Sequence, residues 1–156
     1  MSPAVRTFLA ARAVTFTAHA HTPIVAFDEA KASPPFDSNA MVKALAFRLP
    51  DARYAIVGLL ASDRADYKKI ADALGIRRAD LKAADAEAIV ADLDMAPGGV
   101  TPLPINGALV LFDREVLGLE VAFCGSGRAD AILEIAGADL VRIAGGRIAN
   151  LTKRLT

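Results

Sequence analysis

The chain has 156 residues, of which 54% are hydrophobic and 23% charged. That is enough for one domain with a core of its own, and too apolar for a disordered chain. Eighteen Lys and Arg balance 18 Asp and Glu, which excludes a protein that coats nucleic acid by overall charge, so any such contact must be local.

The one cysteine, Cys124, excludes an internal disulfide and fits a reducing, cytoplasmic setting. No apolar run reaches the ~18 residues of a membrane span. Arg6 and Arg12 interrupt the apolar N-terminus, so it reads as an amphipathic helix rather than a secretory leader.

Helical spacing of Val5, Leu9 and Ala13 predicts a helix over residues 3–13, with Pro3 suited to its first turn. Alternation of Phe16, Ala18 and Ala20 with Thr15, Thr17, His19 and His21 predicts a strand. Residues 22–36, with Pro23, Pro34 and Pro35, read as a crossing loop. Asp37 or Ser38 can cap a short helix reaching about Leu45.

Residues 46–49 and 54–61 read as two strands joined at Pro50-Asp51-Ala52-Arg53. The second, with Ile56, Val57, Leu59 and Leu60, is apolar enough for burial on both faces. Asp66 and Gly75 bracket a helix over 67–74, and 84–93 is a second helix. After the turn-rich segment 97–104 come strands at 108–112, 118–123 and 130–135, a helix at 138–143 and a strand at 147–151. The pattern predicts a single α/β domain over residues 1–156, with a mixed, curled, barrel-like sheet and flanking helices.

Five features could carry chemistry. Lys43, expected on the short helix before an apolar strand, is either a solvated lysine or a cation at a pocket mouth that meets a phosphate or carbonyl oxygen. Gly98-Gly99-Val100-Thr101-Pro102 is either an ordinary turn or a rigid loop whose amides act as fixed donors. Neither it nor Gly125-Ser126-Gly127 matches a phosphate or dinucleotide fingerprint. His19 and His21 share a strand face, but the chain has no third histidine or cysteine pair to complete a zinc site. They are expected to line a polar face, and no metal or other cofactor is implied.

Cys124 is either a small residue at a strand end or a nucleophile served by His19 or His21. Basic residues cluster at Arg64, Lys68, Lys69, Arg77, Arg78 and Lys82, and again at Arg142, Arg147, Lys153 and Arg154. They form solvated faces or two patches able to grip a few phosphates.

Several motifs occur in a telling order: His21-Thr22-Pro23; Lys43-Ala44-Leu45; Asp66-Tyr67-Lys68-Lys69 with Leu74-Gly75; Gly98 to Pro102; Cys124 to Gly127; and Asp139-Leu140. Together they make the chain, from about residue 3 to 153, resemble the YbaK-like family, also called the prolyl-tRNA-synthetase-associated or INS-like editing domain. The ordered set carries the resemblance, since no single motif is specific.

The resemblance implies a free-standing aminoacyl-tRNA deacylase that hydrolyses the ester at the 3′ acceptor end of mischarged tRNA. It implies no metal and no covalent enzyme intermediate, with the substrate's own hydroxyl helping to activate water. Lys43 is the residue that it ties most closely to activity, with Gly98 and Gly99 as backbone donors. Thr101 and Pro102 complete the loop. His19, His21, Cys124, Gly125 and Ser126 are pocket candidates.

Prolyl-tRNA synthetase is the implied partner, with neither membrane nor DNA involved. Some relatives carry His or Asn in the late loop where this chain has Cys124, Gly125 and Ser126, which bears on the amino acid accepted. The bottom-up reading agrees in one respect: an ester is an activated bond, so positioning and fixed donors can suffice without a triad. On this reading Lys43 and the glycine pair should border one cavity. The rival from another class is a non-catalytic module that binds aminoacyl-tRNA or a synthetase, and a cysteine hydrolase using Cys124 is a third reading.

Overall fold

The computed structural model describes residues 1–20 and 38–153, so the expectations at 21–37, His21 among them, and at Arg154 lie outside the described residues. The chain opens with helix α1 (Pro3–Ala10), capped by the Ser2 hydroxyl, which accepts from the Val5 amide. Strand β1 (Phe16–Ala20) follows. After a single 3-10 turn at Ser38–Ala40 come β2 (Val42–Arg48) and β3 (Tyr54–Leu60).

Helix α2 (Tyr67–Leu74) begins at Asp66, whose carboxylate accepts from the Lys69 amide, and ends at Gly75 with φ 72°. That left-handed conformation is one in which a side chain is strained. Next are β4 (Lys82–Ala83), α3 (Ala86–Leu93), β5 (Leu109–Asp113), the short helix α4 (Arg114–Leu117), β6 (Ala122–Gly125), β7 (Ala131–Ile135), α5 (Gly137–Ala144) and β8 (Arg147–Ala149).

The strands form two sheets, β1-β7-β6 and β4-β2-β3-β5-β8. The smaller is antiparallel. In the larger, β2–β3 and β2–β4 are antiparallel and β3–β5 and β5–β8 parallel, so the expected mixed pairing is present. The barrel-like curl is not, because no sheet closes. A parallel bridge between Met41 and Phe123 instead links β2 to β6 at one point.

Two apolar layers sandwich the larger sheet, and β3 is buried on both faces as its composition requires. Phe47, Val57, Leu59, Ile70 and Leu151 pack under α2. The larger cluster on the other face takes in Val5 and Leu9 of α1, Leu93 of α3, Phe112, and Leu140 and Val141 of α5. No helix among the described residues is long and apolar enough to cross a membrane.

Two expected elements are corrected. Lys43 does not lie on a helix. The segment Val42-Lys43-Ala44-Leu45 contains good helix formers, yet β2 pairs with β3 over seven registers from Val42–Leu60 to Arg48–Tyr54, and long-range pairing overrides local propensity. The strand expected at 118–123 begins only at Ala122, because Asp113 caps a helical turn through Leu117.

That cap also acts at long range. Asp113 is fully buried. One carboxylate oxygen accepts from the Glu115 amide and the other, at 2.9 Å, from the Leu151 amide, tying the chain after β8 to β5. Asp113→Ala leaves these buried donors unpaired and should lower unfolding free energy by about 2–4 kcal/mol. Urea denaturation of the two proteins measures it, with a smaller loss for Asp113→Asn.

Candidate functional site

The Met41–Phe123 bridge assembles the site. Two residues beyond it along each chain stand Lys43 of β2 and Gly125 of β6. Gly125 is where the glycine loop closes: a Cβ there would lie 2.1 Å from the Val100 carbonyl oxygen and 2.7 Å from that of Gly99. The backbones of Gly125 and of Gly99-Val100 therefore approach closely, and Lys43 stands two residues along the chain from the bridge that joins β2 to β6.

Within the loop, Pro97–Gly99 makes a 3-10 turn in which the Gly99 amide donates to the Ala96 carbonyl. The Gly99 carbonyl accepts from the Gly127 amide at 2.7 Å. A Cβ on Gly99 would lie 2.1 Å from the Arg128 carbonyl oxygen, so the residue is glycine for close packing. Its N–H, expected as a donor to a ligand, is engaged within the turn. Gly98 is exposed and Gly99 buried. Pro102 is buried on the face of β3 that carries Gly58, where a Cβ would come within 3.3 Å of the Pro102 Cβ.

Lys43 directs its side chain to the other face. It pairs with Leu59 and shares its face with Leu45, both in the layer beneath α2. Its ammonium is half-buried and donates to the Asp63 carbonyl oxygen at 2.6 Å. Desolvation lowers its pKa from the ordinary lysine value, and the Asp63 charge opposes that shift.

The ammonium borders a cleft of about 580 Å³ whose wall is built by Leu45, Arg64, Ala65, Asp66, Tyr67, Lys68, Arg78 and Lys153. The expectation of one cavity bordered by both Lys43 and the glycine pair is not met at this cleft, whose wall includes no residue of the 98–102 loop. The space at the lysine's tip is walled instead by residues 64–68 with Leu45, Arg78 and Lys153.

The cleft unites the two basic segments. Ala65 and Thr152 form an antiparallel bridge, the Asp66 amide donates to the Leu151 carbonyl and the Lys153 amide to the Arg64 carbonyl. The Lys69 ammonium donates to the Thr152 carbonyl at 2.7 Å. Arg78 lies over the Tyr67 ring, 4.9 Å from its centroid.

His19 sits in β1 with its Nε2 2.7 Å from Glu134 Oε1 on β7, and its ring is 6.3 Å from that of Phe123. By strand alternation it stands on the sheet face shared by Ile132, Phe123 and, across the bridge, Met41. Glu134 and Asp63 were not picked out in the sequence. The β1–β7 register that brings Glu134 to His19 spans 115 residues and leaves no local signal.

Cys124 points the opposite way, into the main core. Burial pushes its thiol pKa up to about 12, with the neighbouring Thr101 hydroxyl offsetting part of the effect. Thr101 Oγ1 is itself buried without a hydrogen bond of ordinary geometry. A buried, protonated thiol facing away from His19 is not a nucleophile. Ser126 is also committed to the fold: its hydroxyl donates to the Ala131 carbonyl at 2.7 Å, and its own carbonyl accepts from the Ser2 amide.

Comparison with known proteins agrees with this architecture. The family model for the aminoacyl-tRNA editing domain matches residues 21–143. The chain belongs to the aminoacyl-tRNA editing domain family. No curated protein matches it.

Among solved structures it is similar to hypothetical protein APE2540, with TM-score 0.84, 22% identity, and coverage of 96% of this chain and 99% of that one. It is also similar to a "putative trans-editing enzyme for prolyl tRNA synthetase", with TM-score 0.82, 20% identity and 99% coverage of each chain. At these identities the likenesses establish the editing-domain fold.

The Cys124 thiol makes a test of the folded core. A thiol pKa raised to about 12 in the folded protein, against about 9 unfolded, keeps its full contribution to stability below pH ~9. That contribution is lost as pH rises from there toward 12, at up to about 1.4 kcal/mol per pH unit. Chemical denaturation at pH 8 and pH 10 should show this loss, and Cys124→Ala should lose less over the same interval.

Proposed function

We propose that this protein is a trans-acting aminoacyl-tRNA deacylase that removes wrong amino acids from tRNA. The observation that carries the reading is Lys43, a half-buried cation bordering a basic cleft, on the strand that is bridged at Met41–Phe123 to β6, where the glycine loop closes at Gly125. Membership of the editing-domain family supports it.

In the proposed reaction water adds to the ester carbonyl and the bond to the terminal ribose oxygen breaks. That oxygen takes up a proton, and the amino acid leaves as its carboxylate. Lys43 holds the 3′-terminal phosphate or the ester in place, and the 98–102 loop with Gly125 shapes the walls around the aminoacyl group. Positioning of this kind can supply several kcal/mol to an already activated bond, and a stiff pocket also filters amino acids by size. The substrate's neighbouring hydroxyl, rather than a metal or an enzyme nucleophile, assists the water.

His19 faces the substrate from the β1 side, His21 is a further candidate contact by residue type, and Thr101, Pro102, Cys124 and Ser126 back the pocket. The site of action is the cytoplasm, and prolyl-tRNA synthetase is the synthetase whose errors would be cleared.

Release of amino acid from alanyl-, cysteinyl-, seryl- and 2-aminobutyryl-tRNA tests the reading. At least one should be hydrolysed, at a rate unchanged by a chelator. Binding of every member of the panel without turnover of any would leave a recognition module in place of an enzyme. Lys43→Ala should lower kcat/KM at least tenfold, about 1.4 kcal/mol in barrier, whereas Cys124→Ala should alter it only modestly.

A further inference from the structure

The cationic cleft extends well beyond the lysine that the proposed reaction uses. Arg64, Arg78 and Lys153 are exposed and, among the described residues, none has a carboxylate partner, whereas Arg77, Arg128 and Arg142 are each paired with an aspartate. The acid in the cleft wall, Asp66, is turned to the Lys69 amide as the cap of α2.

The cations are also brought to one place by the fold. Arg78 rests on the Tyr67 ring, and Arg64 and Lys153 are brought together by the hydrogen bond between their backbones. Cations without a carboxylate partner among the described residues, gathered around about 580 Å³ of open space, suit a flexible polyanion. A chain of zero net charge could not otherwise hold one.

We propose that Arg64, Arg78 and Lys153 form a phosphodiester track for the unpaired 3′ strand of the tRNA, leading its terminal nucleotide to Lys43. This rests on the deacylase reading and adds to it the part of the substrate that is gripped. The cleft is a local hollow at one end of α2, so it accepts a single strand that can bend into it. A rigid duplex would need a broader basic face.

Binding of deacylated tRNA to the full-length protein, followed across a salt series, tests the track. With about three phosphates neutralised, log Kd against log salt should have a slope near 2, at about 0.7 per single-strand phosphate. Removing the unpaired 3′ nucleotides from the tRNA should weaken binding at least tenfold. The double variant Arg64→Ala/Lys153→Ala should weaken binding of intact tRNA to a similar extent and flatten the slope. Arg64→Lys/Lys153→Arg should bind as the wild type does, and Arg142→Gln, which removes a cation elsewhere, should change nothing.

Equal binding of trimmed and intact tRNA, equal competition by a blunt RNA duplex, or full affinity in the double alanine variant would each overturn the track. The outcomes separate from those of the reaction. Cleft-dependent binding without ester hydrolysis on any tRNA of the panel would sink the deacylase and spare the track. Hydrolysis with cleft-independent binding would do the reverse.

Discussion

Strand β2 is held along both edges, and the site follows from that. One edge is paired throughout with β3. The other is shared, with β4 taking Phe47 and Arg48 at one end and Phe123 bridging to Met41 at the other. Buried backbone donors and acceptors must find partners, so β2 cannot slide or turn without unpairing on two sides. A one-residue slip would also send Lys43 into the apolar core and Val42 out of it. The double pairing therefore fixes the height of the lysine on the sheet and the face from which it projects. It also fixes the distance to the glycine loop, because β6 is the strand on which that loop closes.

Electrostatics then act on a geometry already set. A protein with equal numbers of acids and bases carries no useful long-range attraction for a polyanion, so its cations must be sorted. Many are paired on the surface with neighbours in sequence, as Lys68 is with Asp72 and Arg77 with Asp80. Exposed pairs of this sort add little stability, but they remove those charges from competition. Among the described residues, three cations without a carboxylate partner, Arg64, Arg78 and Lys153, meet where the segment after β8 crosses the start of α2. The local excess of positive charge there comes from placement in the fold rather than from the overall balance of the chain.

Legibility from sequence divided along the line between local and distant causes. Helix α2 could be read because Asp66 and Gly75 mark its ends by short-range chemistry, and β3 because its apolar run needs burial on both faces. The starting point of β2 could not, since Lys43-Ala44-Leu45 is as good a helix as a strand until β3 pairs with it. Nor could the helical turn after Asp113, where Gly118 to Phe123 alternates like a strand while the buried carboxylate favours a cap.

For the site, Lys43 and the glycine loop could be singled out by residue type. The close approaches at Gly99 and Gly125, the Glu134 partner of His19 and the joining of two basic segments through Ala65 and Thr152 depend on pairings between distant parts of the chain. His21 falls outside the described residues.

The placement of Cys124 has a consequence for where such a protein can work. Its sulfur has almost no solvent exposure and stays protonated at any physiological pH, and oxidants attack the thiolate. A folded molecule is thus closed to sulfenic acid formation and to mixed disulfides with glutathione. Oxidative stress would have to unfold the domain before it could modify the chain's single thiol.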